Sequence, residues 1–327
     1  MAKNLIVILG PTASGKTHLA VRLAYDLRGE IVSADSRQVY KRMDIGTGKD
    51  LNEYIINGRR IPYHLIDIIE PENEFNLFEF QNRFYEVFDN LTKREIIPVL
   101  VGGTGLYLES ALTGYNMPPA PADNKLREDL SQKSKSELQE ILQEMKPRLH
   151  NKTDFETSER LIRAIEIERS RNSATHIHNK KPYIDAVVFG IRWERSILRE
   201  RITARLKERL NKGMIEEVRR LHASGLTWTK LESFGLEYRF VSRYLQKLIT
   251  YEEMEKKLNT AIHQFAKRQE TWFRRMEKKG ILINWISGND YKLLKESVMR
   301  YIITLTDIVI LHIAYELKLL KIIGGDS

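Results

Sequence analysis

The chain has 327 residues and no cysteine, which excludes disulfides, thiolate metal sites and a cysteine nucleophile. No run reaches the roughly 18 uncharged apolar residues of a membrane span, and no signal segment is recognisable, so we predict a cytoplasmic protein with no membrane partner. The formal net charge is +9, and basic residues become denser after about residue 190. This excess favours a polyanionic partner such as nucleic acid.

The earliest motif in the chain is G-x-x-x-x-G-K-[ST], the phosphate-loop pattern. An apolar strand pattern over residues 5–9 precedes it, and a helical pattern over 18–27 follows it. The loop amides and the helix N-terminus would hold phosphate oxygens, Lys16 would add charge, and the Thr17 hydroxyl is placed for Mg²⁺. The motif therefore predicts that the chain binds a diphosphate or triphosphate. Its residues are Gly10, Pro11, Thr12, Ala13, Ser14, Gly15, Lys16 and Thr17.

Apolar strand patterns alternate with helical patterns along much of the chain, as a parallel sheet with crossover helices requires. Two later helices are predicted from buried stripes that include Leu198 with Ile202, and Ile262 with Phe265. The fold class predicted is therefore α/β, a P-loop NTPase-like parallel sheet flanked by helices. Strands are predicted over residues 5–9, 30–35, 63–69, 96–101, 186–191 and 281–286, and an earlier helix over 75–91.

The stretch from about residue 115 lacks strand patterns and is charged and helical, after a proline-rich linker at 117–121. We predict an α-helical insertion there. The expected organisation is a core in two parts, 1–114 and 186–300, an insertion over 115–185, and a tail over 301–327 of unknown role.

Two further predicted strands end in residues that can contact a ligand, because ligands of open α/β sheets sit beyond the carboxyl ends of the strands. Asp35 could hold Mg²⁺ through water, act as a base, or only cap a turn. The strand over 96–101 leads into Gly102-Gly103-Thr104-Gly105, where an ATPase usually has an acidic residue. Only Asp67 competes for that acidic role, so the pattern weakens a motor or switch function.

Several basic residues have two interpretations from sequence alone. In the glycine-containing loop over residues 43–49, Lys49 could reach a phosphate or be a solvated turn lysine. The arginines of 160/163 and 201/205 share helix faces that suit phosphate or RNA backbone, although each could be an ordinary surface charge. Trp272 lies among cations, but its helical position favours the core over base stacking.

Taken together, the segments closely resemble motifs of the tRNA dimethylallyltransferases, also called tRNA isopentenyltransferases. The resemblance covers roughly residues 4–290. It implies transfer of a dimethylallyl group from its diphosphate to the exocyclic amine of the adenosine 3′-adjacent to the anticodon, in tRNAs that read codons beginning with U. It further implies that the phosphate loop holds a diphosphate leaving group, which accounts for the missing acidic strand end. The matching segments are residues 10–17, 33–40, 43–49, 101–107, 159–166, 201–205 and 267–274.

The resemblance also implies roles for individual residues. Asp35 would take the proton of the amine, Thr104 would hold the amine, and Arg205 would stabilise the diphosphate together with Lys16 and a Thr17-bound Mg²⁺. The partners implied are the tRNA anticodon stem-loop, gripped by the insertion, and dimethylallyl diphosphate; we expect a monomer. Family tRNA-contact positions fall on Asp35, Ser36, Arg37, Gln38, Thr104, Arg127, Glu159, Arg160, Leu161, Ile162, Arg163, Tyr238, Arg239, Lys267, Arg268, Gln269 and Arg274.

The chain departs from the family pattern in three places, and other functions compete with the one implied. The usual Gly-Tyr-Arg segment appears here as residues 235–239, Gly-Leu-Glu-Tyr-Arg. The polar stretch over 172–182, which we predict to be a loop, lacks the usual glycine-lysine turn, and the tail after about residue 300 matches nothing in the family. A P-loop kinase for a nucleoside or another small molecule is the main alternative. A prenyltransferase acting on free AMP and a non-catalytic RNA-binding switch are the others.

Overall fold

The computed structural model describes residues 3–120, 123–145, 157–173 and 181–302. The chain divides into two compact units, a core unit of Met1–Gly114 with Pro182–Ser327 and an insertion unit of Tyr115–Lys181. The strands are β1 (Leu5–Leu9), β2 (Glu30–Ser33), β3 (Ile55–Ile56), β4 (Arg59–Arg60), β5 (Tyr63–His64), β6 (Pro98–Gly102), β7 (Ala186–Arg192) and β8 (Ile283–Ser287). The helices are α1 (Lys16–Leu27), α2 (Leu77–Lys93), α3 (Gly105–Thr113), α4 (Asn124–Ser131), α5 (Lys135–Met145), α6 (Ser158–Ser173), α7 (Arg195–Asn211), α8 (Met214–Ala223), α9 (Trp228–Ser233), α10 (Leu236–Leu245), α11 (Tyr251–Lys278) and α12 (Tyr291–Ile302).

The core unit is built on a parallel sheet with the strand order β5-β2-β6-β1-β7-β8, which confirms the predicted fold class. Strand β6 lies between β2 and β1, with Ser33 opposite Val101 and Leu9 opposite Gly102. The carboxyl ends of these three strands therefore meet at one edge of the sheet, and each leads into a loop that the sequence marks as functional.

Both faces of the sheet are covered by helices, which explains why the strands are continuous apolar runs. Ile6 and Ile8 of β1 pack in one buried cluster with α1 and α12. Val7 and Leu9 point to the opposite face and pack with α2, α3 and α11. Helix α2 begins at Leu77 because Asn76 and Glu79 form a capping box there.

Two predictions about these elements are wrong. The predicted strand over 63–69 ends after His64, because Leu65 and Asp67 have φ values of 62° and 54°, which do not continue a strand. Phe265, predicted to be buried, is 37% exposed, and the buried stripe of α11 continues through Ala266 and Gln269 instead. Helix α12 was not predicted, although Tyr291, Leu294 and Val298 bury one face of it.

The insertion unit contains α4, α5 and α6, and no strand among its described residues. Its core includes Leu138, Leu142, Leu161 and Ile165, all fully buried. The predicted loop over 172–182 lies mostly outside the described residues, and the predicted tail lies outside them from residue 303 onward. Among the described residues, no helix is both long and apolar enough to cross a membrane.

Candidate active site

An open cleft of about 1200 Å³ lies in the core unit at the carboxyl edge of the sheet. The phosphate loop, the turn that starts at Asp35 and the loop at Gly103-Thr104 all line it, together with side chains of α7 and α11. The predicted convergence of three strand ends is therefore a feature of the structure.

The phosphate loop presents unused backbone donors. Gly15 has φ 84°, a left-handed conformation that favours glycine, and α1 begins at the next residue. Among the described residues, none accepts a hydrogen bond from the N–H groups of Ala13, Gly15, Lys16 or Thr17. Free backbone N–H groups at a helix N-terminus form a binding site for anions, because they donate hydrogen bonds and the helix dipole favours negative charge there.

Three side chains fix the other polar groups of the phosphate loop. Trp193 Nε1 donates to the Ser14 carbonyl at 2.8 Å, and Arg201 Nε donates to the Ala13 carbonyl at 2.9 Å. Gln269 Oε1 accepts from the Thr12 N–H at 2.8 Å, while its Nε2 donates to the Gly103 carbonyl at 2.8 Å. The amide of Gln269 therefore ties the phosphate loop to the neighbouring strand-end loop. Sequence reasoning missed these supporting roles, because the three residues are far from the loop in the chain.

Lys16 is placed for an anion rather than for a protein partner. Its Nζ contacts only the Pro11 carbonyl, at 3.3 Å, among the described residues. Burial and the neighbouring Arg205 guanidinium lower the pKa of Lys16 to about 8. A phosphate group in the cleft would reverse this effect, because an opposite charge favours the ammonium form.

Asp35 lines the cleft and uses one carboxylate oxygen in the turn. Its Oδ1 accepts from the N–H groups of Arg37 at 2.8 Å and Gln38 at 3.4 Å, as in the Asx turn considered from sequence. No described residue donates to Oδ2. Thr104 Oγ1 accepts from the Ser36 N–H at 3.2 Å, which joins the two strand-end loops. The geometry therefore allows a turn role and a base role at once.

The second glycine-containing segment, which we call the 43–49 loop, is not a phosphate site, and both sequence interpretations of Lys49 are wrong. Lys49 is 1% exposed, and its Nζ donates to the Tyr40 carbonyl and Asp44 Oδ1, each at 2.7 Å, and to Asp67. The ammonium is therefore neutralised inside the protein. Asp67, the other candidate acid, is occupied by the same ion pair.

Arginines of α7 form one wall of the cleft. Arg205 lines it and pairs with Asp50 at 3.1 Å. Arg209 is 9% exposed, with Nε making no hydrogen bond among the described residues, and burial lowers its pKa. Asp50 and Glu237 lie 4.0 and 3.8 Å from its terminal nitrogens. This wall carries positive charge that its own carboxylates only partly balance.

The predicted tRNA-contact residues of the core unit fall into two groups. Ser36, Arg37 and Arg268 line the cleft, and Arg239, Lys267 and Arg274 are exposed. Gln38, Tyr238 and Gln269 are only 8%, 1% and 6% exposed, and their polar atoms bond to other protein groups. The polar side-chain atoms of these three residues are engaged within the protein, and their contact with tRNA stays a prediction.

The predicted contacts of the insertion unit also divide. Arg127 and Arg163 both pair with the buried carboxylate of Glu166. Burial would raise the pKa of Glu166, but hydrogen bonds from Arg127, Asp123 and Arg163 bring it below its usual value. Glu159 and Arg160 are exposed, and Ile162 is half-buried. Leu161 is fully buried, and its contact with tRNA stays a prediction.

The described residues contain no group of three or more His, Asp or Glu that could by themselves hold a metal ion. The Thr17 hydroxyl lines the cleft and makes no hydrogen bond among them. One free hydroxyl beside open amides fits a Mg²⁺ ion that arrives with phosphate oxygens as its main ligands.

A parallel sheet whose central strand opens into an amide-lined loop, with Lys16 and Asp35 facing one cleft, defines a P-loop protein that acts on a phosphorylated substrate. Residues 38–276 match the family model described as IPP transferase, and residues 3–71 match one described as isopentenyl transferase. The chain belongs to the tRNA dimethylallyltransferase family.

Individual relatives agree with this assignment. The chain is 58% identical to tRNA dimethylallyltransferase 1 of Syntrophus aciditrophicus, over 91% of this chain and 98% of that protein. It is 55% identical to tRNA dimethylallyltransferase 2 of Citrifermentans bemidjiense, over 88% and 91%. The crystal structure of the tRNA isopentenylpyrophosphate transferase of Bacillus halodurans matches with a TM-score of 0.66 and 30% identity, over 92% and 97%. These comparisons favour a prenyltransferase over the kinase alternative.

Proposed function

We propose that this chain transfers a dimethylallyl group from dimethylallyl diphosphate to the exocyclic amine of the adenosine 3′-adjacent to the anticodon, in tRNAs that read codons beginning with U. The proposal is supported mainly by one observation, that two sets of groups with different chemistry line the same cleft. Open amides and Lys16 suit a departing diphosphate, and Asp35 and Thr104 beside them suit an amine.

The proposed step exchanges one bond for another. The allylic C–O bond breaks, and its electron pair leaves with the bridging oxygen of the diphosphate. The amine nitrogen forms the new C–N bond and loses a proton to the free oxygen of Asp35. Lys16, Arg205 and the phosphate-loop amides stabilise the negative charge that develops on the diphosphate. Thr104 holds the amine in line with the carbon.

Mg²⁺ is part of this proposal. Thr17 would supply one ligand and the diphosphate oxygens the others, and the ion would neutralise charge on the leaving group. The adenosine must leave the anticodon stack to reach the cleft, as in other base-modifying enzymes.

The insertion unit is proposed to hold the anticodon arm. Its Arg160 is exposed, and an exposed guanidinium suits phosphate oxygens. Arg127 and Arg163 both pair with the buried Glu166 and would mainly hold α4 and α6 together. We further propose that the enzyme is cytoplasmic and acts as a monomer. Gel filtration of the purified protein with and without tRNA would test the oligomeric state.

The function is tested by incubating the protein with dimethylallyl diphosphate, Mg²⁺, ATP and a transcript of a tRNA that reads a UNN codon. A matched transcript with guanosine at the target position is the control. Mass analysis of the nucleosides should find the prenylated adenosine only in the first transcript, with release of diphosphate. ATP turnover without prenylated tRNA would instead support a kinase. A parallel reaction with free AMP in place of tRNA tests the other alternative, and equal prenyl transfer to AMP would argue against tRNA as the substrate.

A further inference from the structure

Glu217 on α8 is a buried carboxylate that the proposed reaction does not use. It is 3% exposed and has no lysine or arginine partner among the described residues. Its Oε2 accepts from the N–H groups of Asp44 at 2.8 Å and Ile45 at 2.7 Å. Its Oε1 accepts from the Gly46 N–H at 3.0 Å and from the Tyr238 hydroxyl at 2.7 Å. One carboxylate therefore holds three consecutive backbone amides of the 43–49 loop.

The loop that Glu217 holds is packed closely against other side chains. An added Cβ at Gly46 would come within 2.7 Å of the Tyr238 ring. Gly48 has φ 64°, and an added Cβ there would lie 1.6 Å from the Arg209 guanidinium. The loop has little room to shift on this side, so its position and that of Arg209 are set together.

The same loop supports the turn that carries Asp35. The Gly48 carbonyl accepts from Gln38 Nε2 at 3.0 Å, and Gln38 Oε1 accepts from the Ser33 hydroxyl at 3.0 Å. The backbone N–H of Gln38 in turn donates to Asp35 Oδ1 at 3.4 Å. A continuous set of hydrogen bonds thus runs from Glu217 through the 43–49 loop and Gln38 to the proposed base.

We propose that Glu217 is a positioning residue for prenyl transfer, which fixes the 43–49 loop and through it the Asp35 turn. This inference rests on the proposed function. An ionised carboxylate suits the task because it accepts from all three amides, and hydrogen bonds to a charged acceptor are stronger than neutral ones. A neutral amide at the same place would turn an NH₂ group toward backbone donors, so the loop would have to move.

The test compares Glu217→Gln with Glu216→Gln in the full-length protein. Glu216 is the preceding residue of α8, is exposed, and pairs with Arg219 on the surface, so it is a matched control. Single turnovers of prenyl transfer are followed with enzyme in excess over tRNA, because the rate constant then reports only folded, loaded enzyme. We expect Glu217→Gln to lower that rate constant by about 10–100-fold, the cost of displacing a catalytic group by about 1 Å. Binding of tRNA, measured separately on filters, should not change.

A milder variant keeps the test valid if Glu217→Gln folds poorly. Tyr238→Phe removes one of the four hydrogen bonds without changing the packing of the ring, and we expect a smaller fall of the same rate constant. A Glu217→Gln protein with a lower reaction amplitude but the wild-type rate constant would overturn the proposal, because the residue would then serve only stability. Absence of transfer by the wild type and by Glu216→Gln would instead overturn the proposed function itself.

Discussion

The phosphate loop and the 43–49 loop resemble each other in sequence, since both combine glycines with a lysine at the end. In the structure they do opposite things. The phosphate loop leaves four N–H groups open and keeps Lys16 without a carboxylate partner among the described residues. The 43–49 loop gives its amides to Glu217 and buries Lys49 against Asp44 and Asp67. In this chain, carboxylates of the protein occupy the amides and the lysine of the 43–49 loop, whereas the phosphate loop keeps its amides and Lys16 available for an anion.

Asp35 lies between the two loops in the sequence. Its substitution should have the largest effect on the rate of prenyl transfer. We expect Asp35→Asn to lower the single-turnover rate constant by about 10²–10⁴-fold, the usual contribution of a positioned base. The new amide oxygen can still accept from the Arg37 and Gln38 N–H groups, so the turn is kept. Affinity for tRNA, measured by filter binding, should stay the same. A nearly active Asp35→Asn enzyme would reduce Asp35 to its turn role.

Exchanging each lysine for methionine separates the two loops directly. Lys16→Met should lower kcat by about 10²–10³-fold, as does loss of a group that stabilises transition-state charge, without lowering the melting temperature. Lys49→Met should instead lower the free energy of unfolding by about 1–3 kcal/mol, because Asp44, Asp67 and the Tyr40 carbonyl lose the hydrogen bonds of the buried ammonium. Kinetics and thermal melts of the same preparations check both results. If the two variants shared one phenotype, the contrast between the loops would be wrong.

The depressed pKa of Lys16 predicts a pH dependence of diphosphate binding. The ammonium form binds the anion, and in the free protein it is lost as the pH rises above about 8. Affinity for magnesium pyrophosphate should therefore fall by up to about tenfold per pH unit above that value. Lys16→Arg is the control, because a guanidinium remains charged and should flatten the profile.

The same pKa shift has an opposite consequence for stability. The unfolded chain holds the Lys16 proton up to its ordinary pKa of 10.5, whereas the folded free protein releases it near 8. Because the unfolded state binds more protons between these values, this lysine makes the free protein more stable as the pH rises through that window. Denaturant melts at a series of pH values between the two pKa values measure this effect. The free energy of unfolding of the wild type should rise with pH relative to that of Lys16→Met.

In the insertion unit, the side chain of Arg160 is exposed and that of Arg163 is partly buried beside Glu166. Arg160→Ala should weaken tRNA binding and reduce the slope of log affinity against log salt by about one. Arg163→Ala should mainly lower the melting temperature. Salt titrations of filter binding measure the slope, and equal slopes for Arg160→Ala and wild type would remove Arg160 from the tRNA surface.

The sequence was sufficient to predict the sheet, the phosphate loop and the meeting of three strand ends, because those features depend on local patterns. It failed where a partner comes from far along the chain. Lys49 could not be assigned without the fold, since Asp67 reaches it only after the strand at Tyr63–His64 stops early. Tyr238 and Gln269 fall on family tRNA-contact positions, and in the structure both side chains are buried and hydrogen-bond to groups that support loops.

One missed residue did leave a signal in the sequence. Glu217 lies three residues after Met214 and one before Val218, on the face of α8 that the apolar spacing predicts to be buried. A carboxylate at a core position requires donors, because burying it unpaired is costly. Only the structure identifies those donors as the amides of the 43–49 loop.

The central claim, that the loop around Lys16 and not the loop around Lys49 receives the diphosphate, is tested most directly by calorimetric titration with magnesium pyrophosphate. The wild-type protein and the folded fraction of Lys49→Met should bind it with the same affinity, and Lys16→Met should bind it much more weakly. Undiminished binding by Lys16→Met, or its loss in folded Lys49→Met alone, would contradict the account.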